Sequence, residues 1–316
     1  LRTGALDNAT LKDAIMAYGA LNVGMYWDDA FYNGTHASYY YTGAEPANHS
    51  VCLVGWDDEY PASRFASLPP GDGAFILKNS WGEGFGDGGY YYQSYHDSVL
   101  GYDENVAFYG IAPATNYDGL YQYDPLGMVG AWGFDAATAW AAALFTATSS
   151  APLRAVGLYA VQPQTAYALH FYTGVTPGQP RSGTFHGVQT GVLAHAGFCT
   201  IPLDRPVPLT GRDRFSVVVR LAAPSLLTPV AVEFAQPDYS SRATAAPGET
   251  FLSHDGAAWT DATARERTAS VCLKAYVGAG TSPAPVSAGA AADYDGDRRA
   301  DPAVYAAPGT WRLKLS

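Results

Sequence analysis

Only three of the 316 residues are cysteine: Cys52, Cys199 and Cys272. An odd count leaves at least one thiol unpaired within the chain, and three are too few for a disulfide-stapled scaffold. Charge is scarce too. Charged residues make up 15% of the chain, and 29 Asp and Glu against 18 Lys and Arg give a formal net charge of −11. That balance argues against nucleic acid or an anionic bilayer as the main partner. No apolar run reaches the roughly 18–20 residues needed to span a bilayer as a helix, so no transmembrane segment is expected. The opening stretch, LRTGALDNATLKDA, lacks an h-region, a small-residue cleavage site and an initiator Met. It is therefore no signal peptide, and a processed end or a cut from a longer chain is expected.

What is abundant points to β-structure. Hydrophobic residues reach 48%, with 23 Tyr, 13 Phe and 7 Trp, beside 34 Gly and 21 Pro. This composition supports a sizeable core in about two domains, rich in strands and loops. DNATLKDAIMAYGA reads as a helix with Asn8 or Thr10 as its cap and Leu11, Ile15 and Tyr18 on one face. LNVGMYW alternates as a strand, SVCLVGW and GAFILKNSW read as buried strands, and GGYYYQSY as a fourth. A polar loop, DDEYPASRFASLPPGDG, separates the middle two. From about residue 111 the helix signals fade. LRAVGLYAV, AYALHFYTG, GFCTIPL, DRFSVVVRL, VAVEFA and SVCLKAYVG are strand-sized runs between Pro and Gly turns, the pattern of a β-sandwich or jelly roll. The expected organisation is 1–110, 111–277, a Pro/Ala/Gly/Ser linker over 278–292, and a short acidic tail over 293–316.

The stretch NHSVCLVGW sets a histidine at the mouth of a strand with a cysteine three residues on. A neutral imidazole can take the proton of a thiol, and it then needs a partner on its other nitrogen to fix tautomer and rotation. An Asn carbonyl can serve without adding charge. His49 begins one apolar strand and Asn79 ends another, so antiparallel pairing would bring both to one rim. Trp81, two residues on, could shield their hydrogen bond from water. Cys52 is not the thiol in question. Three residues from His49 along a strand, it points to the opposite face and reads as a buried structural side chain.

Together NHSVCLVGW and GAFILKNSWGEGFGDGGYYY resemble the His and Asn boxes of the papain family of cysteine peptidases, and LKDAIMAYGALNVGMYWDDAFYNG is similar to the segment before the His box. The resemblance covers about residues 5–107. It implies His49 as general base of a thiolate–imidazolium pair, Asn79 as its orienter and Trp81 as the shielding tryptophan, with no cofactor for catalysis. In that family the nucleophile and the oxyanion Gln lie far upstream, near a Cys-Gly-Ser-Cys-Trp-like box. No such box occurs here, and the loop between the two boxes is longer than in papain. The chain is thus expected to be the C-terminal half of a papain-like domain with additional segments after it, truncated from a longer polypeptide. GEGFGDGG, without a following Lys-Ser/Thr or a helix signal, is no phosphate loop.

NYDGLYQYDPLG, AALFTATSSAPLRAVGLYA and GETFLSHDGAAWTDA resemble the lectin-like domain that follows the peptidase domain in some bacterial and archaeal papain-like enzymes. Tyr117, Tyr121, Tyr123, Trp132, Trp140 and Trp259 are candidates for stacking on a sugar, with Trp132, Trp259 and Tyr121 foremost; as core aromatics they would pack instead. In the tail, DYDGDRRAD places Asp293, Asp295, Asp297 and Asp301 at positions 1, 3, 5 and 9 of a loop with Gly296, a spacing of oxygen ligands suited to Ca²⁺. It lacks the Glu at position 12 of an EF-hand and resembles one incomplete repeat of the Ca²⁺-loop propeller type. Arg298 and Arg299 stand where Gly and a basic residue are usual.

These observations imply a mainly β fold with some α: the β-sheet half of a papain-like α+β domain and a β-sandwich. The functional expectation is part of a secreted or cell-surface cysteine endopeptidase acting on protein or peptide, with a glycan as a second partner, inactive alone for want of its nucleophile. The alternative is a non-catalytic carbohydrate-binding or adhesion module on a degenerate peptidase scaffold.

Overall fold

The computed structural model describes residues 1–102, 105–109 and 115–278, together with the backbone of two strands at 303–306 and 310–313. The chain divides near residue 111 into two compact units.

The first unit begins with helix α1 (Ala9–Tyr18) and continues through β1 (Leu21–Met25), β2 (Tyr32–Asn33), β3 (Ser38–Tyr39), β4 (His49–Asp57), β5 (Ala74–Lys78), β6 (Tyr90–Ser94) and β7 (Asn105–Ala107). They form one sheet in the order β2-β3-β6-β5-β4-β1-β7. Every pairing is antiparallel except β3 with β6. Alternation decides which side chains go inward. In β1, Leu21, Val23 and Met25 are buried; in β4, Val51 and Leu53 are; they join Leu11 and Ile15 of α1, Phe75, Leu77 and Tyr91 in the main core. A smaller cluster of Tyr40, Tyr60, Phe65, Ala74, Ile76 and Tyr92 draws on other residues of the same strands. Tyr60 and Phe65 come from the stretch read as a polar loop, which is held by apolar burial, a 3₁₀ turn at Ala62–Arg64 and the Tyr60 hydroxyl donating to the His36 carbonyl at 2.9 Å.

Helix α1 forms where the apolar spacing places it, but not with the expected cap. Asn8 occupies the cap position without a side-chain capping bond. Its Oδ1 instead accepts from the buried Arg2 guanidinium at 3.0 Å, and the Thr10 hydroxyl turns back to Asp7. Arg2 also donates to the carbonyls of Leu100, Ala5 and Tyr95. A buried guanidinium that needs acceptors outcompetes an exposed helix N–H for the same oxygen.

The second unit runs through β8 (Gly119–Tyr121), β9 (Gly130–Trp132), β10 (Thr138–Thr146), β11 (Leu153–Ala160), β12 (Thr165–Thr173), β13 (Thr184–Leu193), β14 (Gly197–Val207), β15 (Arg214–Ala222), β16 (Val230–Glu233), β17 (Thr250–Ser253), β18 (Thr260–Asp261), a short helix α2 (Ala262–Arg265), β19 (Ser270–Val271) and β20 (Leu273–Val277). A six-stranded sheet, β13-β12-β15-β10-β17-β18, accompanies a four-stranded one, β14-β11-β20-β8, and a small third, β19-β16-β9. Phe145, Leu169, Phe171, Val217 and Val219 of the large sheet share one apolar core with Val156, Leu158, Leu273 and Ala275 of the four-stranded sheet. This is the sandwich that the strand-sized runs implied.

Two long strands of this unit were not legible as such. β10 reads TAWAAALFT, and alanine has little strand preference. It is a strand because it lies between β15 and β17 and is covered on both faces: Ala141, Ala143 and Phe145 enter the inter-sheet core, while Ala142 and Leu144 enter a separate cluster with Val218 and Phe251. β13, TFHGVQTGVL, is an edge strand with Gly187 at a register shift, so it shows little apolar alternation to read. Beyond the second unit, β21 (Ala303–Ala306) and β22 (Thr310–Leu313) pair antiparallel.

Candidate active site

β4 and β5 pair with Cys52 opposite Lys78. Continued by one step, that register sets Asn79 across from Val51, on the same face as His49 and diagonal to it. The imidazole and the amide do meet: His49 Nε2 lies 3.0 Å from Asn79 Oδ1. The Ser80 backbone N–H donates to that same Oδ1 at 2.8 Å. This second donor fixes the amide, because a flipped Asn79 would turn its NH₂ toward an N–H. The oxygen is therefore the acceptor, the neutral ring carries its proton on Nε2, and Nδ1 remains the basic nitrogen. Asn79 is 5% exposed, and its Nδ2 has no partner among the described residues. The cost of that orphan NH₂ accompanies the locking of the oxygen.

Trp81 covers the pair. Its ring stacks on His49 at 5.1 Å and 22°, and it stays 47% exposed. The glycine-rich turn behind it has a structural purpose. Gly86 adopts φ +56°, and a Cβ there would meet the Tyr90 carbonyl oxygen. Only glycine lets the chain fold back so tightly. The return carries the Gly89 carbonyl to the Asn79 N–H at 2.9 Å and sets Phe85 edge-on to Trp81 at 5.0 Å.

The sequence pattern does not mark Trp27, which follows the end of β1. Its indole stands edge-on to Trp81 at 4.7 Å and to His49 at 6.4 Å, and stacks on Tyr39 at 4.8 Å. No periodicity singles out a residue just past a strand end. The usable signal was its position two residues beyond Met25, the β1 partner of His49.

Cys52 lies on the other side of β4, as the strand alternation requires. It pairs with Asn22 and Lys78 rather than sharing the face of His49 and Val51. Burial pushes its thiol up, with the Lys78 charge pulling only partly against it, so this sulfur is disfavoured as a thiolate. The other two cysteines belong to the second unit, where burial pushes the Cys199 thiol up to about 11 and raises Cys272 still further.

The aromatic candidates of the second unit are half-buried. Trp132 is flanked by Phe234 at 6.1 Å and the Arg265 guanidinium at 4.9 Å. Tyr121 packs on Phe145 and Phe215, and its hydroxyl lies 2.9 Å from that of Thr148. Trp259 borders the separate cluster that holds Trp140. Tyr121, Tyr123 and Trp132 pack against the inter-sheet core, Trp140 and Trp259 against the separate cluster, and Tyr117 against Tyr276 at 4.9 Å. Asp293, Asp295, Asp297 and Asp301 lie outside the described residues, and among the described residues no group of three or more His, Cys, Asp and Glu could hold a metal. No helix among them is long and apolar enough to cross a membrane.

Residues 2–109 match the papain family cysteine protease, and residues 120–277 match the lectin-like domain. Among solved structures, the chain is similar to a clostridial cysteine protease, Cwp84, in a cysteine-to-alanine form after propeptide cleavage. Identity is 25% and TM-score 0.74, over 87% of this chain and 69% of that one. A second structure, of the cysteine protease and lectin-like domains of Cwp84, a surface layer associated protein of Clostridium difficile, is also 25% identical. It gives a TM-score of 0.72 over 88% of this chain and 63% of that one. No curated protein matches the sequence.

Proposed function

We propose that this chain, which belongs to the lectin-like domain family over residues 120–277 and matches the papain family cysteine protease over residues 2–109, supplies the base-bearing half of a cysteine endopeptidase active site, joined to a glycan-binding accessory domain. The observation that carries this is the His49–Asn79 bond with Trp81 stacked on the imidazole.

The chemistry follows from the tautomer. A thiol brought to His49 Nδ1 gives up its proton there, and the resulting imidazolium is held by its Nε2–H on Asn79 Oδ1. The thiolate adds to the peptide carbonyl carbon, and the proton on Nδ1 passes to the departing amine as the C–N bond breaks. Nδ1 then takes a proton from water as that water attacks the thioester, and returns it to the leaving sulfur. His49 is the catalytic base and acid in this scheme, Asn79 orients it, and Trp81 keeps water from the bond between them. No cofactor is required. The thiol itself must come from outside the first unit, since Cys52 faces away from the imidazole.

Purified chain should therefore show no turnover of a peptide substrate, and Cys52→Ala should change nothing. A polypeptide that adds an upstream thiol should hydrolyse the same substrate and lose activity on alkylation. Hydrolysis by the chain alone that Cys52→Ala abolishes would overturn the assignment.

We also propose a secreted or cell-surface location, supported by the similarity to a surface-layer-associated protein, and a Ca²⁺ site formed by Asp293, Asp295, Asp297 and Asp301. Carboxylates drawn together in one loop repel one another until a cation neutralises them. Calorimetric titration with Ca²⁺ should give binding heat that an Asp295→Ala, Asp297→Ala variant loses; equal heats in both would remove the site.

A further inference from the structure

We infer that the outer face of the six-stranded sheet binds a sugar that bears a carboxylate, with Arg181 and Arg220 receiving the charge and Phe185 the sugar ring. The inference rests on the reading of the second unit as a glycan-binding domain, and gives that reading a place and a ligand class.

One face of this sheet fills the inter-sheet core. On the other, Ala142, Leu144, Tyr172, Val218 and Phe251 form the separate cluster. Toward the β13 edge, Phe185 and Val188 are each 53% exposed. Phe185 reaches this face through a bulge. Val188 stands opposite His170 and Gly187 opposite Phe171, but Tyr172 stands opposite Phe185, so His186 is the extra residue. Without it, alternation from Val188 would send Phe185 inward. With it, the ring turns outward beside Tyr172 at 5.1 Å and His170 at 6.2 Å. Gly187 accommodates the bulge at φ +127°. Bulges recur beside functional sites, where they re-aim a side chain.

Two arginines serve the same face. Arg220 on β15 stands opposite Trp140 and Ala168, one diagonal from His170; it is exposed and has no ion-pair partner among the described residues. Arg181 comes from the turn between β12 and β13. Its Nε donates to the Tyr172 hydroxyl at 3.2 Å and its Nη1 to the Gly256 carbonyl at 2.9 Å, and the guanidinium lies over the Trp140 ring at 5.2 Å. A Cβ at Gly256 would collide with that indole, so the turn stays close beneath it. These bonds fix the guanidinium, and its other N–H groups have no partner among the described residues. A fork held in this way is pre-oriented for a carboxylate.

The charge of the surroundings makes the same selection. The chain carries a net −11, yet β10, β12, β13 and β15 contain no Asp or Glu. The carboxylates bordering the face are engaged already. Asp255 accepts from the Ala257 and Ala258 N–H groups and the Ser253 hydroxyl, and Asp261 from the Gly248 and Thr263 N–H groups. A patch with two cations and no free anion favours an anionic ligand. His170 stands between the two parts of the site, 5.3 Å from Trp140 and 6.2 Å from Phe185. Burial, with the Arg181 charge second, pushes its imidazole down, so it meets a sugar hydroxyl as a neutral group. One face of Trp140 is taken by the guanidinium, which leaves Phe185 as the ring open to a sugar. From β13 to β15 is two strand spacings, about 10 Å, the distance over which ring and carboxylate must be shared.

Calorimetric titration of the purified chain tests the site. Short oligogalacturonates and oligoguluronates are the carboxylated probes, their methyl esters the neutral counterparts, and dextran sulfate a polyanion without carboxylates. At least one carboxylated probe should bind about tenfold or more tightly than its ester, and more tightly than dextran sulfate. Arg220→Gln, at an exposed position, should weaken that binding about tenfold with the melting temperature unchanged. Phe185→Ala should weaken it as well, and Phe185→Tyr, which keeps the ring, should not. Equal affinity for acid and ester, or acid binding unchanged in both Arg220→Gln and Phe185→Ala, would overturn the acidic-sugar site and leave the domain a glycan binder. Dextran sulfate binding as tightly as the carboxylated probes would also overturn it, making the arginines a general anion surface. Dimerisation of the chain that Phe185→Ala abolishes would assign the face to a second copy instead. No heat with any probe, esters included, would overturn the glycan reading together with the site.

Discussion

Replacing His49 by alanine in a peptidase carrying this segment should lower kcat by about 10²–10⁴-fold, the range of a positioned general acid–base. The size follows from the geometry. A thiol has few alternatives here, because the only cysteine of the first unit points through the opposite face of β4 and is held protonated by burial. Without Nδ1, the thiol loses the group that takes its proton, and the departing amine loses the group that gives one back. Asn79→Ala should cost less, about 10–100-fold, since the imidazole keeps its chemistry and loses only its orientation. KM should move little in either variant, because neither side chain is asked to hold the substrate. Steady-state rates on one peptide, with melting temperatures to show that both variants fold, check this order. A His49→Ala variant within threefold of the parent, or an Asn79→Ala variant slower than His49→Ala, would contradict the assigned roles.

How far the site could be read from the sequence depended on which interactions run along the chain. His49, Asn79 and Trp81 were legible through the resemblance of their two boxes to the papain family; alternation along β4 sends Cys52 to the face opposite His49, whereas the face that Asn79 takes depends on the β4–β5 register. Trp27 was not legible, because its backbone is bonded to the side-chain amide of Asn48, and no periodicity encodes a side-chain contact of that kind. The same distinction holds for the fold. The six apolar runs of the second unit appeared as strands. β10 did not, because its Ala-rich sequence becomes a strand only when β15 and β17 close on it. Asn8 sits where a cap belongs, yet its oxygen goes to Arg2, a partner fixed by tertiary structure. The loop between the two boxes looked polar by composition, but its Tyr60 and Phe65 are buried against β5 and β6 residues.

A different class of interaction leaves no trace in the sequence pattern: the buried ion pair of the second unit. Lys274→Met should destabilise that unit by about 3–5 kcal/mol, the cost of leaving a buried charge without its partner. Lys274 on β20 is 9% exposed, and its ammonium has three acceptors: Asp124 Oδ2 at 2.7 Å, the Asp124 carbonyl at 2.8 Å and Gln122 Oε1 at 2.8 Å. Asp124 and Glu233 are both fully buried. Glu233 Oε2 accepts from the Leu126 and Gly127 N–H groups, while Glu233 Oε1 and Asp124 Oδ1 have no partner among the described residues. Burial pushes both carboxyls up; the bond to Lys274 pulls Asp124 back down, and two backbone N–H bonds do the same for Glu233. The sign of the pH dependence is set by these shifts. A carboxyl whose folded pKa lies above its unfolded value, about 3.9 for Asp, penalises folding only where the unfolded chain would ionise it. In Lys274→Met the folded pKa of Asp124 rises further. The deficit should be slight below about pH 4, where the carboxyl is protonated in both states, and should grow as pH rises from that value through the folded pKa toward neutrality. Adding Asp124→Leu to Lys274→Met should recover part of the loss at pH 7, because the unpaired charge goes with its partner. Denaturant unfolding of the three proteins at pH 4 and pH 7 is the measurement. A deficit for Lys274→Met that is equal at both pH values would mean that packing of the lysine stem, and not charge, holds this part of the sandwich together.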